Sequence, residues 1–204
     1  MKKLLVVFAA ALLILSSCAS LDVRRIDAET QTDLSGYWND TDVRIVCRSL
    51  IYSCLGSPRV DQEIREVTKA KGVKTPTVII GRFGNGSDEH IDTEIITSNM
   101  RTAIINSGKL DFVAGGNTRD ALRAERQDQL EYASEDTAAS LGKEIGADFM
   151  LTGSVKTIVE RAGNQTVRTY YIFAELTNIE TNRIIWSEQN NDIKKVIVRP
   201  RNKF

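Results

Sequence analysis

The sequence predicts an α+β fold, a single domain in which a mixed sheet ends in an antiparallel meander and helices pack on that sheet. Up to residue 146, helical and strand-like stretches alternate, as they do where helices connect strands. From Ala147 the pattern changes to three strand-like stretches joined by tight turns. The chain has 27 basic and 27 acidic side chains, and this balance argues against a nucleic-acid partner, which would need a strongly basic face.

The first seventeen residues are typical of an export signal. Two lysines precede an unbroken apolar run of 12 residues, Leu4 to Leu15, which is shorter than the roughly 20 residues that span a bilayer. The four residues that end at Cys18 (LSSC) resemble the lipobox of bacterial lipoproteins, in which the cysteine is acylated and the signal is cut before it. An ordinary secretory signal followed by a structural cysteine is the alternative. A lipidated Cys18 would make the membrane anchor effectively permanent.

We therefore predict three parts: a signal peptide over residues 1–17, a lipidated cysteine with a short tether over 18–33, and a globular domain over 34–204. The tether shows no sustained periodicity and would span about 50 Å at most. Without the signal, 25 basic and 27 acidic side chains remain.

The first helix is predicted to begin after Asn39, a good N-cap, and to end at Gly56. Cys47 and Cys54 lie seven residues apart in this helix, so their Cα atoms are about 10 Å apart, whereas a disulfide needs them within roughly 7 Å. We expect two core thiols, with a disulfide as the alternative if the helix frays near its end. A second, short helix is predicted to end by Gly72.

The remaining elements follow from periodicity and turn residues. Before Ala147 we predict a strand, a polar loop, a helix, a short strand and two helices, at Thr75–Phe83, Gly84–His90, Asp92–Gly108, Leu110–Ala114, Asn117–Tyr132 and Ser134–Gly146. After it we predict three strands and an edge strand, at Phe149–Glu160, Val167–Asn178, Arg183–Gln189 and 192–198. Strand alternation puts Ile184 and Trp186 on one face, and we expect Trp186 to pack in the core.

The loop after the first strand is the main candidate for chemistry. Its Gly84-Asn85-Gly86 lacks the third glycine of a dinucleotide fingerprint and the Gly-Lys-Ser/Thr of a P-loop. His90 is the only histidine, and the acids around it do not follow zinc or calcium spacing. We predict no enzyme, no cofactor and no metal, and interpret these acids as a helix entry. A metal site and a partner-contact loop are the alternatives.

Two further features carry open alternatives. Trp38, beside Tyr37, either packs on Val43 as a hydrophobic staple or forms a surface anchor. From Lys194 onward the chain contains five basic residues and no acid. A solvated tail is the first interpretation of this stretch, and contact with an anionic lipid or polymer is the other.

Five stretches, in order and together with the lipobox, resemble the LpoB-type lipoproteins: DLSGYWNDTD (33–42), PTVIIGRFGNGSDEHIDTE (76–94), SGKLDFVA (107–114), ADFMLTGSV (147–155) and YYIFAELTNIETNRIIWSEQNNDIKK (170–195). These lipoproteins activate bifunctional penicillin-binding proteins. The resemblance implies a fold like the N-terminal domain of TolB. It also implies a non-enzymatic, monomeric activator of a class A synthase, anchored in the outer membrane and facing the periplasm.

The resemblance departs from the family in the tether, because enteric members carry a long proline-rich linker and residues 19–33 contain no proline. Ala19 is not the aspartate that retains enteric lipoproteins in the inner membrane, which favours the outer membrane. We expect the partner to contact Tyr37, Trp38, Asn85 and His90. The alternative function is an envelope assembly component resembling the curli-secretion lipoprotein CsgG. This alternative predicts that the protein forms a large ring instead of a monomer.

Overall fold

The computed structural model describes residues 25–27, 29–132 and 145–200. The chain divides into residues 1–31 and 32–204. In the first unit, Asp27 accepts hydrogen bonds from the backbone N–H groups of Glu29 and Thr30, which forms a turn. The second unit contains the helices and strands: α1 Asp40–Gly56, α2 Pro58–Lys71, β1 Thr77–Gly86, α3 Thr93–Ser107, β2 Asp111–Phe112, α4 Gly116–Tyr132, β3 Phe149–Ala162, β4 Gln165–Asn178, β5 Ile184–Asn190 and β6 Lys194–Val198.

The six strands form one mixed sheet in the order β2-β1-β3-β4-β5, with β6 also paired to β4. β1 runs parallel to both β2 and β3. The β3, β4 and β5 strands are antiparallel neighbours, and β6 pairs with the first residues of β4, beyond the end of β5. The predicted α+β class, with a mixed sheet ending in an antiparallel meander, is confirmed.

The core lies between one face of the sheet and the helices. Along β4, every second residue from Arg168 to Asn178 is buried, as expected for a strand with one covered face. α1 packs against α3 and β5, and α3 packs against β1. In the described residues, every buried apolar side chain lies between Val43 and Ile193, so this core lies within the unit 32–204.

The helix ends follow local capping chemistry. Asn39 and Asp42 form a capping box, in which each side chain accepts a hydrogen bond from the other residue's backbone N–H. The Asp92 side chain accepts from the N–H of Glu94 at the start of α3, and Gly108 ends that helix with a φ of 67°, which favours glycine. The predicted boundaries of α1 and α3 are therefore confirmed.

The predicted polar loop over Gly84–His90 is wrong in its first half, since β1 continues to Gly86. After a register shift between Ile80 and Phe83, the strand pairs with β3 again from Phe83 to Gly86. Glycine and asparagine are poor strand formers by themselves, so these residues belong to β1 only because the neighbouring strand offers them pairing partners. The predicted strand over Leu110–Ala114 is also too long, because β2 contains only two residues.

The face assignment in β5 is wrong for Ile184. A bulge opposite Leu176 and Thr177 inserts one residue, so Ile184 pairs with Thr177 on the outer face, while Trp186 pairs with Leu176 on the core face. Trp186 is buried, as predicted, and its indole N–H donates to the Ser53 hydroxyl.

Both cysteines are free and buried on a continuous α1, which confirms the expected core thiols. Burial raises the pKa of Cys47 to about 11 and that of Cys54 to about 12. The predicted helix over Asn117–Tyr132 is confirmed as α4. The signal over 1–17, the lipidated Cys18 and nearly all of the predicted helix over 134–146 lie outside the described residues.

Candidate partner-binding site

A charged and aromatic cluster covers the core face of β4 at its N-terminal end. We call it the Arg168 cluster, and its members come from the segment before α1, the loop after β1 and β4: Tyr37, Trp38, Asp88, Glu89, Arg168 and Tyr170. Strand alternation turns Arg168 and Tyr170 towards the core face, where both are buried. Residues 79 to 81 positions apart in sequence thus meet at one point of the fold.

Arg168 is held by two carboxylates. Its guanidinium donates from Nη1 and Nη2 to the two oxygens of Asp88, at 2.7 and 3.1 Å, and from Nη1 to Glu89 at 2.7 Å. The Arg168 and Glu89 side chains are only 7% and 8% exposed, whereas Asp88 is 46% exposed. The hydrogen bond from Arg168 lowers the pKa of Asp88. This fork is the bidentate geometry that arginine makes best.

Aromatic rings close the cluster. The Arg168 guanidinium lies over the Tyr37 ring, with Cζ 4.8 Å from the ring centroid, which is a cation–π arrangement. Trp38 and Tyr170 pack with ring centroids 5.3 Å apart and planes tilted by 55°. Glu89 links both, because it accepts from the Trp38 backbone N–H at 2.9 Å and from the Tyr170 hydroxyl at 2.6 Å. Burial and the hydrogen bond to Glu89 raise the pKa of Tyr170.

A second ion-pair group attaches the segment before α1 to β6. Lys195 donates to Asp42 at 2.6 Å and to the Tyr37 carbonyl at 2.8 Å, and its ammonium lies 3.0 Å from Asp33. Burial raises the pKa of Asp42, and the bond from Lys195 opposes that shift. These contacts hold the Tyr37 backbone in place beside Arg168.

The structure brings the four residues predicted for partner contact to one region. Tyr37 is 51% exposed, and Trp38 is half-buried against Tyr170. Asn85 donates from its amide to the Glu89 carbonyl at 2.7 Å, so it shapes the loop that also carries the exposed His90. Partner contact by these residues stays a prediction.

Sequence reasoning missed Arg168 and Lys195. A signal for Arg168 was present, because it follows the same alternation as Tyr170 and Ile172 and thus lies on the buried face of β4. A buried arginine requires acidic partners, and the only acid-rich loop after a strand contains Asp88. No comparable local signal marks Lys195.

The carboxylates of the Arg168 cluster are occupied by contacts within the domain. Its acids are engaged by Arg168 and Tyr170, and the parts of the chain that are described contain no group of three or more histidine, cysteine or acidic side chains placed to hold a metal ion. Among the described helices, none combines the length and hydropathy needed to cross a membrane. The Arg168 cluster is therefore a partly exposed aromatic and acidic surface that hydrogen bonds within the domain brace.

Comparison with known proteins gives the family. A family model described as "Peptidoglycan-synthase activator LpoB" matches residues 42–191, which include all of the sheet from β1 to β5. The chain therefore belongs to the LpoB family of peptidoglycan-synthase activators, as its sequence resemblance indicated.

Solved structures with similar folds include the LpoB C-terminal domains from Salmonella enterica and Escherichia coli, each 18% identical over 68% of this chain and 95% of theirs, with TM-scores of 0.34 and 0.35. Lipoprotein GNA1162 from Neisseria meningitidis is 16% identical over 62% of this chain and 88% of its own, with a TM-score of 0.38. No curated protein matches the chain.

Proposed function

We propose that this protein is a lipoprotein of the cell envelope that binds a class A bifunctional penicillin-binding protein and stimulates peptidoglycan synthesis. The observation that carries this proposal is the family match over residues 42–191. The export signal and the lipobox at Cys18 support the envelope location. Ala19 favours the outer membrane, with the domain facing the periplasm.

Activation of this kind needs no chemistry from the activator. It requires that the domain bind the active conformation of the synthase more tightly than the resting one, which shifts the population towards the active form. A tenfold shift corresponds to about 1.4 kcal/mol of differential affinity, which a few interface side chains can supply. The partner contacts, rather than a pocket, therefore determine the activity.

We place the synthase contact on the exposed side of the Arg168 cluster. Tyr37 is 51% exposed, and tyrosine is enriched among residues that dominate interface energies. Asp88 gives the surface a negative charge, since it is 46% exposed and has a lowered pKa. The salt bridges and the packed Trp38 and Tyr170 rings brace this surface, which reduces the entropy lost on binding. The complementary surface on the partner would be basic and would contain a pocket that accepts an aromatic side chain.

The test uses a soluble fragment, residues 19–204, added to the class A synthase of the same cell. Polymerisation of lipid-linked precursor is followed against fragment concentration, and we expect saturable stimulation. Tyr37→Ala should raise the half-saturating concentration at least tenfold. Tyr52→Ala is the matched control, because Tyr52 is 82% exposed on α1, and it should change nothing. A folded fragment that leaves an active synthase unstimulated would contradict the proposal.

The anchor and the assembly state are tested separately. Cys18→Ala should abolish labelling with radioactive fatty acid, whereas labelling that persists in this variant would contradict lipidation at Cys18. Light scattering on residues 19–204 should give a monomer. A large ring would instead favour an assembly component of the CsgG kind.

A further inference from the structure

The point at which the predicted tether joins the domain lies beside β6. Asp33 pairs with Lys195, and the Gly36 backbone lies so close to the Ile197 side chain that a Cβ there would overlap it. With the lipid anchor of the proposed function at Cys18, residues 19–32 alone separate this point from the membrane. Fourteen residues reach about 50 Å at most even when fully extended, so the anchor keeps the domain near the membrane surface. This step rests on the proposed lipidation.

The sheet face opposite the helices presents apolar side chains at this same end. Ile158, Val196 and Val198 are 53%, 60% and 56% exposed. Strand pairing puts Val196 opposite Val167, and it puts both Ile158 and Lys194 opposite Thr169. We name this patch the β6 face, and its apolar members are Ile158, Val167, Val196 and Val198. Leu34, in the segment beside β6, is 95% exposed.

Basic side chains surround the β6 face. Lys156 and Lys194 are exposed on the same side of the sheet, and Arg199 is exposed directly after β6. Glu160 is the one acid among the described residues that pair across this part of the outer face. Apolar side chains flanked by lysine and arginine are the pattern of surfaces that lie in the interface of an anionic membrane.

We propose that the β6 face lies on the anionic surface of the membrane that holds the anchor. The tether confines the domain near the bilayer at a high effective concentration, so a weak intrinsic affinity suffices. Arg168 and Tyr170 project from the opposite face of the same sheet. The contact therefore leaves the Arg168 cluster free and turns it away from the lipid, towards a protein partner.

The experiment attaches residues 18–204 to vesicles through Cys18 and a maleimide lipid, because Cys47 and Cys54 are only 4% and 1% exposed and do not compete. A photo-crosslinking amino acid replaces either Val198 or Ile184. Ile184 is the matched control, since it is 58% exposed on the same sheet face. Ile184 lies opposite Thr177, and Val196 lies opposite Val167. These two β4 residues are ten positions apart, which corresponds to about 33 Å along the strand.

On vesicles that contain phosphatidylglycerol, we expect at least tenfold more lipid cross-linking at position 198 than at 184. Vesicles of phosphatidylcholine alone give the background cross-linking that tethering by itself produces. Cross-linking at position 198 should fall towards this background on such vesicles. It should also fall on vesicles with phosphatidylglycerol when Lys194→Glu is introduced or the salt concentration is high. Equal lipid cross-linking at the two positions, or the same yield at 198 on both vesicles, overturns the proposal. Cross-linking at 198 to a second copy instead of to lipid also overturns it.

A variant separates this inference from the proposed function. Val196→Asp in the fragment 19–204 should stimulate the synthase in solution as the parent does, while the same change in the tethered chain should abolish lipid cross-linking at 198. Stimulation without lipid cross-linking in the parent rejects the membrane contact alone. Lipid cross-linking without stimulation rejects the synthase partner alone.

Discussion

Replacement of Arg168 by methionine tests whether the Arg168 cluster braces the fold. Methionine keeps the length of the side chain but removes the charge that neutralises Glu89 and Asp88. Glu89 is 8% exposed and would keep only neutral donors, the Trp38 N–H and the Tyr170 hydroxyl. A buried carboxylate without its counter-charge destabilises the native state because two neutral donors do not compensate for the hydration that the charge has lost.

The expected loss in the free energy of unfolding is about 3 kcal/mol, the lower end of the range of roughly 3–5 kcal/mol for breaking a buried pair. The lower end applies because Asp88, at 46% exposure, regains hydration when Arg168 is removed. For a domain of this size the loss corresponds to a fall in Tm of about 6–12 °C. Adding Glu89→Gln removes the stranded charge and should restore at least about 1 kcal/mol.

Urea unfolding and thermal melts followed by circular dichroism measure both quantities. The matched control is Arg123→Met, because Arg123 and Asp120 form an exposed pair at 55% and 72% side-chain exposure. That substitution should change stability by no more than about 0.5 kcal/mol. If Arg168→Met and Arg123→Met differ by less than about 1 kcal/mol, or if Glu89→Gln makes the Arg168 variant still less stable, the reasoning is refuted.

Three further outcomes are expected. Leu50→Ala should cost about 3–5 kcal/mol of unfolding free energy, because Leu50 is fully buried, whereas Ile45→Ala on the same helix, at 41% exposure, should cost much less; urea unfolding compares them. Cys47 and Cys54 should not react with a disulfide reagent at pH 8 until the protein unfolds, since burial raises the pKa of each thiol; fast reaction in the native state would contradict this. Asp148 is buried, which raises its pKa, but the hydrogen bonds that Lys71 and Thr77 donate to it outweigh that effect and lower the pKa below the ordinary 3.8. Stability should therefore fall as the pH drops from about 4 through the lowered value, and Asp148→Asn should flatten this dependence in acid titrations of stability.

Local features of the sequence determined most of the element boundaries. Asn39 and Gly108 mark helix ends through caps that involve only neighbouring residues, and alternation along β4 indicated which face is buried. The spacing of Cys47 and Cys54 sufficed to predict two thiols, because helix geometry alone sets their separation. The family resemblance was also present in the sequence, and the match over residues 42–191 confirms it.

Contacts between distant residues were decided by the tertiary structure alone. Gly86 belongs to a strand because β3 offers it a pairing partner, and Ile184 faces outward because a bulge forms opposite Leu176. Arg168 meets Glu89 although 79 residues separate them, and Lys195 meets Tyr37 across 158 residues. Strand pairing and ion pairs depend on which segments become neighbours in space, and periodicity within one segment carries no information on that arrangement. The sequence therefore predicted the fold class and the loop that contributes to the site, whereas the buried ion pairs that brace the site depend on the assembled sheet.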